Sequence, residues 1–64
     1  MIYIVVWSGG VEAPSYAAHN TEKEAWKRAN NWWKDADEDN DSVDVLSVDT
    51  KTLVIKRLER HDAP

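Results

Sequence analysis

Cysteine and phenylalanine are both missing from this 64-residue chain. Without cysteine there is no disulfide and no thiolate metal site, and the composition fits a reducing compartment. Without phenylalanine, the aromatic packing falls to four tryptophans and two tyrosines. Glycine and proline are scarce, two of each. Gly9-Gly10 therefore marks a turn, where positive φ is cheap, and Pro14 marks an edge strand, where a missing N–H does no harm. Long apolar runs are absent too. Residues 2–7 (IYIVVW) are the longest, too short to span a bilayer or to form a signal-peptide core. No basic stretch precedes them, so the chain is expected to be soluble and cytoplasmic, with no membrane partner. Nor is there a basic stripe of the kind that grips nucleic acid.

What is present is acid. The net charge is −4, unevenly placed: residues 1–34 hold four basic and three acidic side chains, residues 35–64 four basic and nine acidic. Direct nucleic-acid binding is disfavoured, and a protein partner with a basic surface is favoured.

Length bounds the rest. Sixty-four residues make one domain, expected over residues 1–58, with residues 59–64 as a frayed tail. A chain this short buries only about 60% of its unfolded surface. Such chains use staples, and without cysteine the options are tight tryptophan packing, a metal held by oxygens, or self-association.

Residues 2–7 are β-branched and aromatic on both faces and read as a central strand, or as a strand whose second face another chain covers. Residues 15–18 read as a short edge strand. Thr21 and Glu24 form a Thr-x-x-Glu capping box. Ala25, Trp26, Ala29, Trp32, Trp33 and Ala36 then follow helical spacing within one arc, predicting a helix over 22–35 with Trp26 and Trp33 on one flank and Trp32 on the other. Asn40 suits a left-handed turn. Residues 43–48 and 52–58 read as strands joined by a tight turn at 49–51. The predicted fold is α+β, a small antiparallel sheet of three to four strands with one helix on one face, in ββαββ order. One helix covers one face. The other is expected to expose some of Tyr3, Val5, Trp7, Val54 and Leu58, an apolar contact surface for a second copy or another protein.

The acids cluster at Asp35, Asp37, Glu38, Asp39, Asp41 and Asp44. Asp35, Asp37, Asp39 and Asp41 alternate as in the first half of a calcium loop, but Leu46 stands where the bidentate glutamate belongs. Calcium binding is therefore an alternative, beside the plain reading of a solvated loop. The same acids can imitate a phosphate backbone and engage a basic groove. The helix stripe reads as core, whereas Tyr3 and Trp7 are candidate apolar anchors. His19 and His61 have no metal-ligand spacing and no nucleophile signature nearby. No pocket is expected in one thin layer pair, so an enzyme is not expected, nor a cofactor.

Residues 17–25 (AAHNTEKEA), closing a short strand and opening a capped helix, are followed by the acidic loop and a terminal hairpin. Over residues 15–58 the chain resembles in style the small single-domain phage inhibitors that include many anti-CRISPR proteins. The resemblance transfers no functional residue. It implies a free-standing protein that occupies a basic surface of a nucleic-acid-binding host defence complex, in the host cytoplasm. The sequence thus leads to a non-enzymatic protein-binding module, with Asp35, Asp37, Glu38, Asp39, Asp41 and Asp44 for steering and Tyr3 and Trp7 as anchors. A calcium-stabilised domain and an accessory homodimer are the alternatives. Neutralising Asp37, Glu38, Asp39 and Asp41 is expected to keep the fold and weaken binding.

Overall fold

The computed structural model describes residues 1–9, 13–37 and 39–59. Its elements are β1 (Ile2–Gly9), β2 (Ser15–His19), α1 (Glu22–Asp35), β3 (Asp41–Val48) and β4 (Ile55–Arg57). The strands form one antiparallel sheet in the order β2-β1-β3-β4, and α1 packs across one face. This is the ββαββ arrangement that the pattern predicts.

β1 is central because it is apolar on both faces. It pairs with β2 from Tyr3–His19 to Trp7–Ser15 and with β3 from Ile2–Val48 to Gly9–Asp41. β2 starts just after Pro14 and lies at the edge, where proline's missing donor leaves no ladder bond unmade. At the far end of β1, Gly9 has φ +140°, and a Cβ there would collide with the Asn40 carbonyl oxygen and with Asp41. Only glycine lets the two strands close so tightly. Gly9 is thus a paired strand residue rather than the turn the sequence suggests, and Gly10 lies outside the described residues.

α1 forms for the reasons its sequence gives. Thr21 is extended, and its Oγ1 accepts the Glu24 N–H at 3.3 Å. The helix stops at Ala36, which turns extended while its N–H reaches the Trp33 carbonyl at 3.3 Å. Ala25 and Ala29 are fully buried and let the axis approach the sheet, where Val5, Val43 and Val45 meet them. The indoles fill the sides. Trp26 stacks on Trp33 at 6.2 Å, and Trp32 meets Trp7 at 5.9 Å on the other flank. Trp26 is buried, and its indole N–H donates to Glu22 Oε2 at 3.1 Å, which removes the cost of an unmet donor.

Three expectations need correction. Tyr3, Val5 and Trp7 face the helix, not the open side: Val5 is fully buried, and Tyr3 and Trp7 pack against the core. Leu58 does the same. The reason is register: Tyr3, Val5 and Trp7 stand opposite Ser47, Val45 and Val43, the β3 positions on the helix side. Next, β4 is only three residues long, because the loop before it consumes residues 49–54. Finally, Asn40 is not left-handed; the one positive-φ residue other than glycine among those described is Leu53, at 61°. Of the expected tail, only Glu59 is described.

Candidate functional site

With Tyr3, Val5 and Trp7 turned inward, alternation puts Ile2, Ile4 and Val6 of β1 on the open face. The register carries that face across the sheet. Ile2 stands opposite Val48, Ile4 opposite Leu46 on one side and Ala18 on the other, and Val6 opposite Tyr16. Ile55 of β4 continues the row beside Val48. No described element packs on this side. The central members are half-buried by their sheet neighbours alone, whereas Tyr16 is 67% and Ile55 63% exposed. Contiguous apolar surface of this kind is uncommon on a protein that works alone.

Among the described residues, charge on the strands of this face is one pair. Asp44 lies beside Val6 and Arg57 beside Leu46. Arg57 Nη2 sits 2.9 Å from Asp44 Oδ1, and its Nε donates to the same oxygen at 3.1 Å. The pair is solvent-accessible, so its contribution to stability is small, about 0–1 kcal/mol.

The acidic loop lies apart and is largely occupied with building itself. Asp37 accepts the Asn40 side-chain amide at 2.8 Å and the Asp39 N–H at 3.0 Å, while Asp41 Oδ2 accepts the Asp37 N–H at 2.9 Å. The Asp37 carbonyl takes the Asn40 and Asp41 N–H groups. These bonds, the Asn40 amide first, hold the Asp37 carboxyl below the usual aspartate value, since they favour the charged form. With Asp44 ion-paired, Asp35 and Asp39 are the acids of the run, among the described residues, whose carboxylates have no intramolecular partner. Glu38 lies outside the described residues.

This geometry bears on two sequence readings. For the calcium alternative at Asp35, Asp37, Asp39 and Asp41, among the described residues no three acidic or histidine side chains gather as metal ligands, and the Asp37 and Asp41 carboxylates accept N–H groups within the loop. Neutralising Asp37 and Asp41 would likewise remove loop-building bonds along with charge. Tyr3 and Trp7, offered as anchors on the open face, are instead part of the packed side, and the apolar residues of the open face are ones the sequence reading passed over. A signal for them existed in residues 43–48 (VDVLSV). Asp44 belongs outward between Val43 and Val45, and antiparallel pairing then turns Ile2, Ile4 and Val6 outward with it.

An open groove of about 500 Å³ runs along the edge of β3, lined by Trp26, Trp33, Val43, Val45 and Leu58 toward the helix, with Asp41 and the Asp44–Arg57 pair at its margin, although no pocket was expected; the pair thus sits where the open face meets the sheet edge. His19 accepts the Arg28 Nε–H at 3.3 Å, with the guanidinium 5.9 Å over Trp32; His61 lies outside the described residues. Among the described residues no helix is long and apolar enough to cross a membrane. No protein family, curated protein or solved structure matches the chain.

Proposed function

We propose that this chain is a non-enzymatic protein-binding module whose contact surface is the open face of the sheet. One observation carries the reading: the register aligns apolar side chains of all four strands on the side that α1 does not cover. Tyr16 supplies an aromatic of the type enriched at binding hot spots. The Asp44–Arg57 pair gives a polar margin that fixes orientation rather than affinity. In this reading the protein acts in the cytoplasm, where a cysteine-free domain loses nothing.

A narrower reading has support from Asp35 and Asp39. Their free carboxylates suit a basic groove, as an inhibitor of a nucleic-acid-binding defence complex would use. One experiment separates the two. The tagged protein is passed over bacterial lysate beside two double variants, Tyr16→Glu with Ile55→Glu, and Asp35→Asn with Asp39→Asn, and the bound proteins are identified by mass spectrometry. Loss with the first variant alone places the contact on the open face; loss with the second alone favours the acidic reading. A partner retained by both variants refutes both surfaces.

A further inference from the structure

Resting on the reading of the open face as a contact surface, we infer that its occupant is a second copy of this chain, so that two sheets meet face to face in a two-fold α/β/β/α sandwich.

The geometry admits this occupant. β1 and β3 each run eight residues, about 27 Å at ~3.4 Å per residue, and the open face spans all four strands. Sheets of this kind pack face to face at about 10 Å.

Charge points the same way. The chain carries −4 in total, which opposes self-association. Among the described residues the open face, however, holds one charge of each sign, Asp44 and Arg57, and balances where the acidic loop does not. A two-fold interface uses the same patch twice, so each patch must complement itself. A neutral apolar face with one acid and one base meets that condition, because Asp44 of one copy can exchange its Arg57 for that of the other. Need completes the case. Among the described residues the buried hydrophobic core is Val5, Ala25, Trp26, Ala29, Val43 and Val45, and there is no cysteine to staple it. A second sheet would cover the outer side of β1 and β3 and give the domain the layer it lacks.

The test is sedimentation velocity and light scattering of the full chain across the micromolar range, with circular dichroism to verify folding. The wild type is expected at twice the 7.3 kDa of the chain. Tyr16→Glu and Ile55→Glu alter exposed positions and are expected to raise the dissociation constant at least about tenfold while keeping the spectrum. Asp44→Arg and Arg57→Asp each give the face charges of one sign. Each alone is expected to associate more weakly than the wild type, and an equimolar mixture to associate more tightly than either. A wild type that is monomeric throughout overturns the inference, and so does a dimer that none of these substitutions weakens. If the wild type is monomeric yet the Tyr16 and Ile55 double variant loses a lysate partner, the second copy is refuted and the contact surface stands. If neither assay responds to that variant, both readings fall.

Discussion

Leu53 is the one described non-glycine residue with a positive φ, and replacing it with glycine should make the protein more stable. The loop around it shows why leucine is held there. Asp49 Oδ1 accepts the N–H groups of Lys51 at 2.9 Å and Thr52 at 3.2 Å, so the chain winds as if starting a helix. The Leu53 N–H then reaches the Asp49 carbonyl at 2.7 Å, and the Asp49 N–H donates to the Val54 carbonyl at 2.9 Å. To bring Val54 back against Asp49 the chain must reverse its hand at residue 53. A left-handed conformation crowds Cβ against the following carbonyl and costs a residue other than glycine about 1–2 kcal/mol. Leu53 is 78% exposed, so its side chain returns little burial for that strain.

Glycine removes the crowding but widens the unfolded ensemble, a penalty of about 0.5–1 kcal/mol. The net expectation is a gain of about 0.5–1 kcal/mol, or a melting midpoint raised by ~2–8 °C for a domain of this size. Leu53→Ala is the control, because alanine keeps the Cβ and the strain. In a helix or strand glycine is the weaker of the two by about 0.5–1 kcal/mol; here the order should invert. Thermal melts followed by circular dichroism, at matched concentrations so that any association contributes equally, decide it. A glycine variant melting at or below the alanine variant would refute the assignment of strain to residue 53.

Gly9→Ala should act in the opposite sense, because positive φ and a blocked Cβ coincide there; a loss of about 3 kcal/mol or more is expected, read as a midpoint lowered by roughly 12 °C or more. Thr21→Ala removes the acceptor of the Glu24 N–H and should cost about 1 kcal/mol in the same assay, with Thr21→Ser restoring most of it. The acid side of the stability profile should respond to Asp37 and Asp49. Both carboxyls sit below their ordinary value, Asp37 through the Asn40 amide first and Asp49 through the Lys51 N–H first. A depressed carboxyl stabilises above its unfolded pKa, and that stabilisation is lost as pH falls through the folded one. Melting midpoints of the wild type should therefore drop as pH falls from the ordinary aspartate value downward, and the double variant Asp37→Ala, Asp49→Ala should show a shallower fall over the same interval. Parallel profiles would show that the two loops do not hold these carboxyls as described.

The parts of the fold legible in the sequence are those set by local chemistry. Thr21 and Glu24 announce the helix start within a single turn, and the Ala and Trp spacing fixes which side goes inward. Both follow from hydrogen bonds and periodicity inside one element. What the sequence concealed depends on pairing between elements. Residues 2–7 are apolar at every position, so alternation alone cannot say which of Ile2, Ile4, Val6 or Tyr3, Val5, Trp7 turns to the helix; the choice is made by β3, where Val43 and Val45 must go in and Asp44 must go out. The strand expected over 52–58 failed for a related reason. Its apolar residues suit a strand, but Asp49 gathers the N–H groups of Lys51 and Thr52 into a loop and leaves only Ile55–Arg57 to pair. The acids are ambiguous in a third way. A carboxylate is a good ligand for cations and an equally good acceptor for a nearby N–H, and only the folded loop shows Asp37 and Asp41 engaged in the second task.

The same ambiguity in β1 links stability to the proposed contact. A strand apolar on one face would have left the open side polar, and the four-stranded sheet could then have ended in water like many antiparallel sheets. Here Ile2, Ile4 and Val6 are as apolar as the residues they back onto. Their β3 neighbours Leu46 and Val48 match them rather than offsetting them. Burying that face cannot be left to α1, whose apolar stripe is already spent on Val5, Val43 and Val45. The outer half of β1 therefore contributes its full share to folding free energy only when something lies on it, so stability and association should be coupled. A substitution at the exposed Ile55 that weakens association should lower the melting midpoint more at high protein concentration than at low, because the wild type alone gains stability from mass action. Equal shifts at both concentrations would mean that the open face contributes its packing within one chain.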